Sequence, residues 1–503
     1  MASALKSRPG GPPSRYRGAL ALCLLLTALP ATAQVSLLSG QSLLNYRPNY
    51  SGNYLAADGG VIYTDNVTRS ANGGDQTLLT LGLSGDASRQ GTRLDYHLSS
   101  NIALLKYLGG AYPTAPIGYL DGTVELKFVP GFFSWIARDT FSELQIDPFV
   151  PLTPDNLLNL NFITTGPRIT MRPTLRTSVT LDALYSYVTS SSPATQFANL
   201  DNHRYGGDLK VDRAFSESAS LYLKGHYEKV DFKDETTNND FSVGEATAGY
   251  QLTDGRTVFD LSGGYSQLRI YDVLSTVEGP GGSRETLTTE SFEEPIWKVN
   301  LSRLITQNQR IALYASQQFT DAATSFRLGF DQPVPTTTPP LLATSQPFKQ
   351  RNYGLGWHFQ AARTTLDLSL GELRQRSLLE SVNDIDSKYA HVMLSRLLSP
   401  VLTWGIGVSF NSYDQAGSPT TNGGQPAVTG QSSKVYGAQT DLQWQVGQRL
   451  ALNFIYAYSR QNGAYAENQI GVTASWALLG AQARGLQSAP GLSPVAPAST
   501  RVP

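Results

Sequence analysis

The side chains with the most capacity for chemistry in this chain are its histidines and the acidic groups near them. No histidine stands in an H-x-x-x-H or H-E-x-x-H spacing, and the one cysteine, Cys23, lies near the N-terminus, so the sequence predicts neither a metal site nor a cofactor. His226, Glu228 and Asp208 could share one face of a sheet as an acid–base group. Because no nucleophile is fixed beside them, we interpret them as polar wall residues and predict no catalytic site and no enzyme. The histidines are His97, His203, His226, His358 and His391.

Two other groups of side chains could bind a ligand. The acidic loop at residues 231–240 could hold calcium or contact lipopolysaccharide through divalent ions, but it lacks the ordered spacing of a calcium loop. Tyr222 beside Lys224, and Tyr314 beside Ser316, pair aromatic rings with polar groups, an arrangement that suits sugar rings. In both cases we expect the structural role, a solvated loop and a filled wall.

These groups belong to a chain whose dominant pattern is the alternation of apolar and polar side chains. Residues 175–187 show it most clearly, with Leu184 as the exception. Successive side chains of a strand point to opposite faces, so such a run has one apolar and one polar face. Runs of about ten alternating residues separated by turns are typical of bacterial outer-membrane barrels. The sequence therefore predicts an all-β fold, a transmembrane antiparallel up-and-down β-barrel of about 20 strands, with about 18 as the next choice.

The connections between the predicted strands alternate between short and long. Short connections on one side and long ones on the other match periplasmic turns and extracellular loops respectively. Residues 111–160 are the least regular part, where the predicted strands 118–128, 132–141 and 156–167 could be divided differently. The short turns lie at residues 215–218, 252–255, 305–308, 360–363, 398–400 and 446–448, and the long loops at 231–240, 272–291, 320–348 and 414–431.

The composition fits a barrel better than an ordinary soluble enzyme. The mean hydropathy of −0.22 is too polar for membrane-spanning helices, whereas barrel strands need only half of their residues apolar. Tyrosine (25), phenylalanine (19) and glycine (46) are abundant and charged residues make up only 16%. A net charge of −1 gives no reason to expect nucleic acid as a partner. A soluble β-sandwich, propeller or solenoid is the alternative fold, although its strands would not keep so clean a two-sided contrast.

The N-terminus gives the predicted destination. Four basic residues precede an apolar stretch and an Ala-x-Ala cleavage signal, so residues 1–33 read as a secretory signal peptide. We then expect a periplasmic lead-in over residues 34–53, the barrel over residues 54–479, and a disordered tail rich in Ala, Pro, Gly and Ser over residues 480–503. The predicted location is the outer membrane of a Gram-negative bacterium.

A barrel of this size encloses a lumen rather than a packed core. The polar faces of the predicted strands would line it, and their charges are of both signs, so neither anion nor cation selectivity follows. Such a lumen admits water, small hydrophilic solutes or a threaded polymer. The predicted lumen-lining residues are Arg176, Asp182, Arg204, Asp208, Lys210, Lys224, His226 and Glu228.

Residues 60–67 and 92–99, together with the turn Leu398-Ser399-Pro400, resemble the outer-membrane β-barrel family associated with PEP-CTERM/exosortase systems. The resemblance spans most of the mature chain and implies a role beside exopolysaccharide production or export, with polysaccharide and periplasmic export proteins as partners in addition to outer-membrane lipid and lipopolysaccharide. It assigns no functional residues. Barrels commonly finish on an aromatic residue, whereas this chain continues beyond its last predicted strand near Trp476.

Three functions follow as expectations. The first is a non-enzymatic barrel that serves as an accessory to, or a channel for, exopolysaccharide export. The second is a general diffusion porin for small hydrophilic solutes. The third is a closed structural or adhesive barrel whose loops bind extracellular matrix.

Overall fold

The computed structural model describes residues 50–51, 53–192, 199–234, 238–279, 282–330, 344–379, 384–415, 430–480 and 482–483. The predicted signal peptide lies outside these residues, as do most of the predicted lead-in and tail. Within the described residues the chain forms a closed barrel of twenty antiparallel strands, with a separate pair of two-residue strands. The predicted barrel fold and the predicted number of strands are confirmed.

The barrel strands range in length from 11 to 25 residues. In chain order the strands are β1 (Tyr50–Ser51), β2 (Tyr54–Thr64), β3 (Gln76–Arg89), β4 (Leu94–Tyr107), β5 (Ala115–Val129), β6 (Phe133–Gln145), β7 (Leu157–Thr174), β8 (Thr177–Ser191), β9 (Asn202–Ala214), β10 (Ala219–Phe232), β11 (Phe241–Thr253), β12 (Thr257–Gly279), β13 (Gly282–Thr306), β14 (Gln309–Thr320), β15 (Phe348–Gln360), β16 (Thr364–Ser377), β17 (Ile385–Ser399), β18 (Leu402–Gln415), β19 (Gln431–Val446), β20 (Leu450–Gln461), β21 (Tyr465–Leu479) and β22 (Gln482–Ala483). A 3-10 turn, Pro154–Asn156, precedes β7, and one helix, α1 (Ala322–Phe330), follows β14.

Each barrel strand pairs with the strands before and after it in the chain, and β2 pairs with β21 to close the ring. At this seam Val61 of β2 lies opposite Val472 of β21 on one side and opposite Leu79 of β3 on the other. A closed ring gives every strand two neighbours, so the wall presents no unpaired sheet edge. Outside the ring, β1 pairs with β22.

Short and long connections fall at opposite ends of the barrel. The six predicted short turns all lie at one end, which we call the short-turn end. Because the number of strands is even, β2 begins and β21 ends at this same end. The prediction of a loop at residues 272–291 is wrong. There β12 and β13 continue as a hairpin to Gly279 and Gly282, after a register shift between Ile270 and Val273. The β-branched runs on both sides of the hairpin favour strand over loop.

The irregular region resolves into three strands, and one loop contains a helix. The predicted strands at 118–128, 132–141 and 156–167 correspond to β5, β6 and β7, each longer than predicted. The predicted loop at 320–348 contains α1. Asp321 Oδ2 accepts the backbone N–H of Ala323 at 3.2 Å, which satisfies a free donor at the start of the helix.

The outer face of the barrel exposes a band of aliphatic side chains between two levels of aromatic residues. Leu81 at 69% exposure and Leu223 at 62% are typical of the band. Among the described residues, no helix is long and apolar enough to cross a membrane. The exposed tryptophans Trp135, Trp444 and Trp476 lie towards the short-turn end, and the exposed tyrosines Tyr63, Tyr185, Tyr205, Tyr227 and Tyr436 lie towards the long-loop end or above the middle of their strands.

The inner face is polar over much of its height, but it carries apolar clusters at the long-loop end. One cluster joins Leu105 and Ile117 of the wall to Val67 and Leu152 of two loops. A second contains the buried residues of α1. A third lies around Phe241 and the ends of β10 to β12. Wall residues at this end therefore pack against loops that fold into the barrel.

Candidate functional site: the inner wall and its inserted loop

The two faces of the wall differ in exposure as the alternation predicts. On β10, Leu221 and Leu223 are exposed outside, whereas Tyr222 between them is buried, and Lys224 and His226 share its face. The inner face is the one that meets the inserted loops, since its side chains contact residues of α1 and of the loop that carries it. The charged side chains of β8 to β10 on this face therefore point into the lumen.

Asp208 of β9 is the centre of a charge cluster on the inner wall. Its Oδ1 lies 2.8 Å from Lys224 Nζ and 3.1 Å from His226 Nδ1, both on the neighbouring strand β10. On the other side of His226, Glu245 of β11 is its register partner. Asp208 thus lies beside both potential cations, and Glu245 lies beside His226 on the neighbouring strand, so charges of opposite sign are balanced along the wall.

The same pairing of opposite charges recurs along the inner wall. Arg168 of β7 forms two hydrogen bonds of 2.7 Å to the carboxylate of Asp182 on β8. Two parallel bonds of this kind fix the geometry of both side chains. Lys210 Nζ lies 2.8 Å from Asp212 Oδ1 on the same strand. The described wall therefore combines many hydrogen-bonding groups with local charge balance.

All but one of the predicted lumen-lining residues lie on the inner face. Asp182 is on β8, Arg204, Asp208 and Lys210 are on β9, and Lys224, His226 and Glu228 are on β10. Arg176 is the correction. Because β7 ends at Thr174 and β8 begins at Thr177, Arg176 lies in the connecting turn, where its backbone oxygen accepts the N–H of Ala214 at 2.8 Å. Its side chain is exposed and does not line the lumen.

The loop after β14 folds into the lumen and carries α1. Ala322, Ala323 and Phe326 are buried among inner-face residues from two separate parts of the wall. Phe162 of β7 and Val188 of β8 lie in one part. Phe348 of β15 and Leu373 of β16, well separated from them around the ring, complete the cluster. The helix therefore lies inside the bore at the long-loop end, packed between these two parts of the wall.

A buried ion pair attaches this loop to the wall. Arg204 of β9 is 0% exposed, and its Nη2 donates to Asp321 Oδ2 at 2.6 Å. Its Nη1 donates to Asp321 Oδ1 at 3.1 Å and to Thr324 Oγ1 at 2.7 Å, and it also lies 3.3 Å from Glu228 Oε2. We call the group Arg204, Asp321, Thr324 and Glu228 the latch. Removing Arg204 would leave the buried Asp321 carboxylate without its counter-ion, and removing Asp321 would leave Arg204 with the more distant Glu228 alone, so both changes are destabilising.

Asp321 is the ionisable member of the latch that lies outside the strands. Burial acts to raise the pKa of its carboxyl, but the charge of Arg204 and the hydrogen bonds from Arg204, Thr324 and the N–H of Ala323 outweigh burial and hold the pKa below its ordinary value. The carboxylate therefore stays ionised at neutral pH, and the latch keeps its ion pair.

Other loops add to the closure at the same end. Arg69, in the loop after β2, donates from Nε to Glu467 Oε2 of β21 at 2.8 Å, and from Nη1 to the backbone oxygen of Leu152 in the loop after β6. Gln461 of β20 donates to the backbone oxygen of Phe149 in that same loop at 3.0 Å. The loops after β2 and β6 are thus bonded to each other and to the wall near the seam.

The tyrosines considered for sugar binding have structural partners. Lys210 Nζ lies 4.7 Å above the centre of the Tyr222 ring, and the Tyr222 hydroxyl donates to Asp260 at 2.9 Å. The ring also covers Gly249, where an added Cβ would lie 2.3 Å from it. The Tyr314 hydroxyl accepts a hydrogen bond from Ser316 at 2.9 Å. The Tyr222 ring and hydroxyl therefore already have partners on the wall, which favours the expected structural role.

The described residues contain no group of three or more His, Cys, Asp or Glu side chains that could hold a metal ion. His358 Nδ1 is bonded to Asp367 Oδ1 at 2.6 Å on the inner wall. In the acidic loop, Asp231 pairs with Lys229 at 2.7 Å and Asp240 accepts the backbone N–H of Phe232 at 2.8 Å. Glu235 of that loop lies outside the described residues.

Sequence reasoning did not find Asp321, Thr324 or Arg168. Arg168 sits directly after a Gly-Pro pair, where a strand was not expected to continue. Asp321 and Thr324 lie in a segment interpreted as a polar loop. The one available signal was the spacing of Asp321 three residues before Thr324 at the start of an Ala-rich run, which is typical of a helix N-terminus.

No protein-family model matches this chain, and the search of curated proteins gave no match. Among solved structures, it is similar to the ferric citrate transporter FecA in its unliganded form, with 10% identity and a TM-score of 0.42 over 85% of this chain and 79% of that one. It is similar to the copper transporter OprC (10% identity, TM-score 0.42, 86% and 82% covered). It is also similar to the apoprotein of the FrpB iron transporter from Neisseria meningitidis (9%, 0.43, 85% and 82%).

Proposed function

We propose that this protein is an outer-membrane barrel of a Gram-negative bacterium that gives passage to hydrophilic material through its lumen. The observation that carries the proposal is the contrast between the faces of the wall. The outside exposes aliphatic side chains such as Leu81 and Leu223, and the inside carries paired charges such as Arg168 with Asp182. A closed wall with these faces suits hydrocarbon outside and water inside.

The height of the outer apolar band supports a membrane location. On β19, the exposed Trp444 and Tyr436 mark the two aromatic levels and are eight residues apart. At about 3.3 Å per residue this is about 26 Å along the strand, or about 20 Å along the barrel axis for a strand tilted by about 40°. The value is close to the apolar band of about 25 Å that outer-membrane barrels present.

The inserted loops make the passage a gated one. Helix α1 and the loops after β2 and β6 occupy the long-loop end, while the charge pairs of β7 to β10 line the wall. Conduction of anything large requires α1 to leave the bore, and this requires the latch to break. We therefore expect wild-type protein to conduct little until the loop is displaced.

Exopolysaccharide is the cargo that we propose for this passage, with periplasmic export proteins as partners. A wall with many hydrogen-bonding groups and balanced charge suits a polyhydroxylated chain of low charge. The resemblance to exopolysaccharide-associated barrels points the same way. A deletion strain should lose secreted polysaccharide and regain it when the gene is restored. If secretion is unchanged while uptake of small solutes falls, the protein is a general diffusion porin instead.

The inserted loops also favour one alternative, a closed structural or adhesive barrel. Three apolar clusters at the long-loop end hold the loops against the wall. Conductance in planar bilayers separates the two functions. A passage should open when the latch is removed by Asp321→Asn, whereas a structural plug should leave the bilayer silent in both proteins.

We propose no catalytic role for the inner wall. The imidazole of His226 contacts the Asp208 carboxylate that Lys224 also holds, which balances its charge without supplying a nucleophile. Esterase and protease assays on the purified barrel should show no turnover. Robust turnover that is lost in His226→Ala would overturn this conclusion.

A further inference from the structure

The outer face of β8 to β10 changes from aliphatic to aromatic to cationic towards the long-loop end. Along β10 the outward residues run from Leu221 and Leu223 through Tyr227 to Lys229. Tyr205 of β9 is the register partner of Lys229, and Tyr185 of β8 is the register partner of Tyr205. This order follows the change from hydrocarbon to headgroup on crossing a membrane interface.

The side chains above the aliphatic band form one connected cluster on the outside. The rings of Tyr185 and Tyr205 are 5.5 Å apart, and those of Tyr187 and His203 are stacked at 5.0 Å. The Tyr185 hydroxyl lies 2.7 Å from His203 Nδ1. Lys233 Nζ, from the loop after β10, lies 4.5 Å from the centre of the Tyr187 ring and is bonded to the Tyr187 hydroxyl. Exposed ring faces, hydroxyls, an imidazole and ammonium groups are thus presented together.

The cluster contains two lysines in addition to the tyrosines that are expected at a membrane interface. Lys229 and Lys233 each retain over two fifths of their side-chain exposure. Each also faces one carboxylate, Asp231 at 2.7 Å for Lys229 and Asp201 at 3.8 Å for Lys233. The cluster therefore offers phosphate-binding ammonium groups beside carboxylates that accept hydrogen bonds from sugar hydroxyls.

We propose that this patch, formed by Tyr185, Tyr187, His203, Tyr205, Lys229 and Lys233, binds the sugar–phosphate headgroup of a glycolipid in the outer leaflet. The inference rests on the proposed membrane location. The acyl chains lie against the aliphatic band, a sugar ring packs on the exposed tyrosine faces, and the lysines reach the phosphate. Asp201 and Asp231 accept from the sugar hydroxyls.

The test uses full-length barrel in detergent, with lipid binding followed by native mass spectrometry. The probes are a phosphorylated glycolipid, its dephosphorylated form, phosphatidylglycerol and inorganic phosphate. We expect preferential binding of the phosphorylated glycolipid, and roughly tenfold weaker binding in the double variant Lys229→Gln/Lys233→Gln and in Tyr205→Leu. The matched control is Tyr456→Leu, which removes an exposed tyrosine on β20, on another side of the barrel, and should bind like wild type.

Each other outcome overturns the proposal. Equal binding of phosphatidylglycerol would show that the patch binds anionic lipids in general. Equal binding of inorganic phosphate would show that the site recognises phosphate and not a lipid. Unchanged binding in both variants would show that these residues are interfacial aromatic and polar residues without a binding site for the glycolipid. Conductance should be the same in wild type and in these variants, because the patch lies outside the lumen. A failure of the passage and a failure of this site are therefore distinguishable.

Discussion

Arg204 and Asp321 are 117 residues apart in the chain, yet their side chains form two hydrogen bonds, of 2.6 and 3.1 Å, inside the barrel. One residue belongs to the wall and the other begins the segment that lies inside the bore. The position of α1 therefore depends on a pair of charges as well as on the apolar contacts of Phe326.

The first prediction concerns the latch itself. Asp321→Asn removes the charge that compensates Arg204, so α1 should leave the bore more often and single-channel conductance should rise several-fold. Breaking a buried pair in this way costs about 3–5 kcal/mol, and the remaining contact of Arg204 with Glu228 should place the loss at the lower end. Bilayer recordings and urea unfolding of the lipid-embedded barrel measure the two effects.

Two comparisons control this experiment. Asp254→Asn changes an exposed aspartate in a short turn, where its carboxylate accepts the backbone N–H groups of Arg256 and Thr257, and it should leave conductance unchanged. The triple variant Arg204→Met/Asp321→Leu/Glu228→Gln removes all three charges of the latch and should recover much of the lost stability. An Asp321→Asn protein with wild-type conductance would show that apolar packing alone holds α1.

The second prediction is a pH dependence of opening. The pKa of Asp321 is held below its ordinary value by Arg204 and by hydrogen bonds, despite burial. A carboxyl whose folded pKa is depressed contributes stability above its unfolded pKa of about 3.9, and this contribution is lost as the pH falls through the folded pKa. Conductance should therefore be flat from neutral pH down to about pH 5 and rise only below about pH 4. Opening between pH 5 and 7 would assign the gate to a histidine.

The third prediction concerns ion selectivity. In the opened Asp321→Asn background, Arg168→Met leaves the Asp182 carboxylate without its bidentate partner on the lumen wall, so the reversal potential in a salt gradient should shift towards cation preference. The matched control is Arg176→Met, because Arg176 lies in an exposed turn. If the two variants shift the potential equally, the assignment of inner and outer residues is wrong.

The fourth prediction tests the outer face. Leu81→Arg places a charge in the aliphatic band, at a side chain that is 69% exposed, and should destabilise the barrel in lipid by about 2–4 kcal/mol. Leu175→Arg changes a side chain that is 94% exposed in a short turn and should cost little. Equilibrium unfolding in vesicles gives both values. Equal stability of the two variants would argue against hydrocarbon around the wall.

The fold could be predicted from the sequence because the requirement on each strand is local. Every strand needs one apolar and one polar face, and each run of alternating residues shows this within itself. The outer part of the hairpin of β12 and β13 was interpreted as a loop. It extends beyond the barrel wall, where side chains no longer need to alternate between lipid and lumen. Its β-branched residues were the available signal.

The candidate site could be predicted only in part. Alternation assigns Asp182, Arg204 and His226 to the polar face once the strands are known. It does not show where a strand begins, which is why Arg176 was placed in the lumen when it lies in a turn. The pairing of Arg204 with Asp321 depends on the path of a loop through the bore, and no local pattern reports a contact over that distance.

Closure of the ring between β2 and β21 has a consequence for biogenesis. The first barrel strand, β2, lacks its second neighbour until β21 has been synthesised. A product truncated before β21 would have two unpaired sheet edges that could pair with other chains. Assembly must therefore shield the free margin of β2 until β21 arrives, and an interrupted product should be degraded rather than retained as a smaller ring.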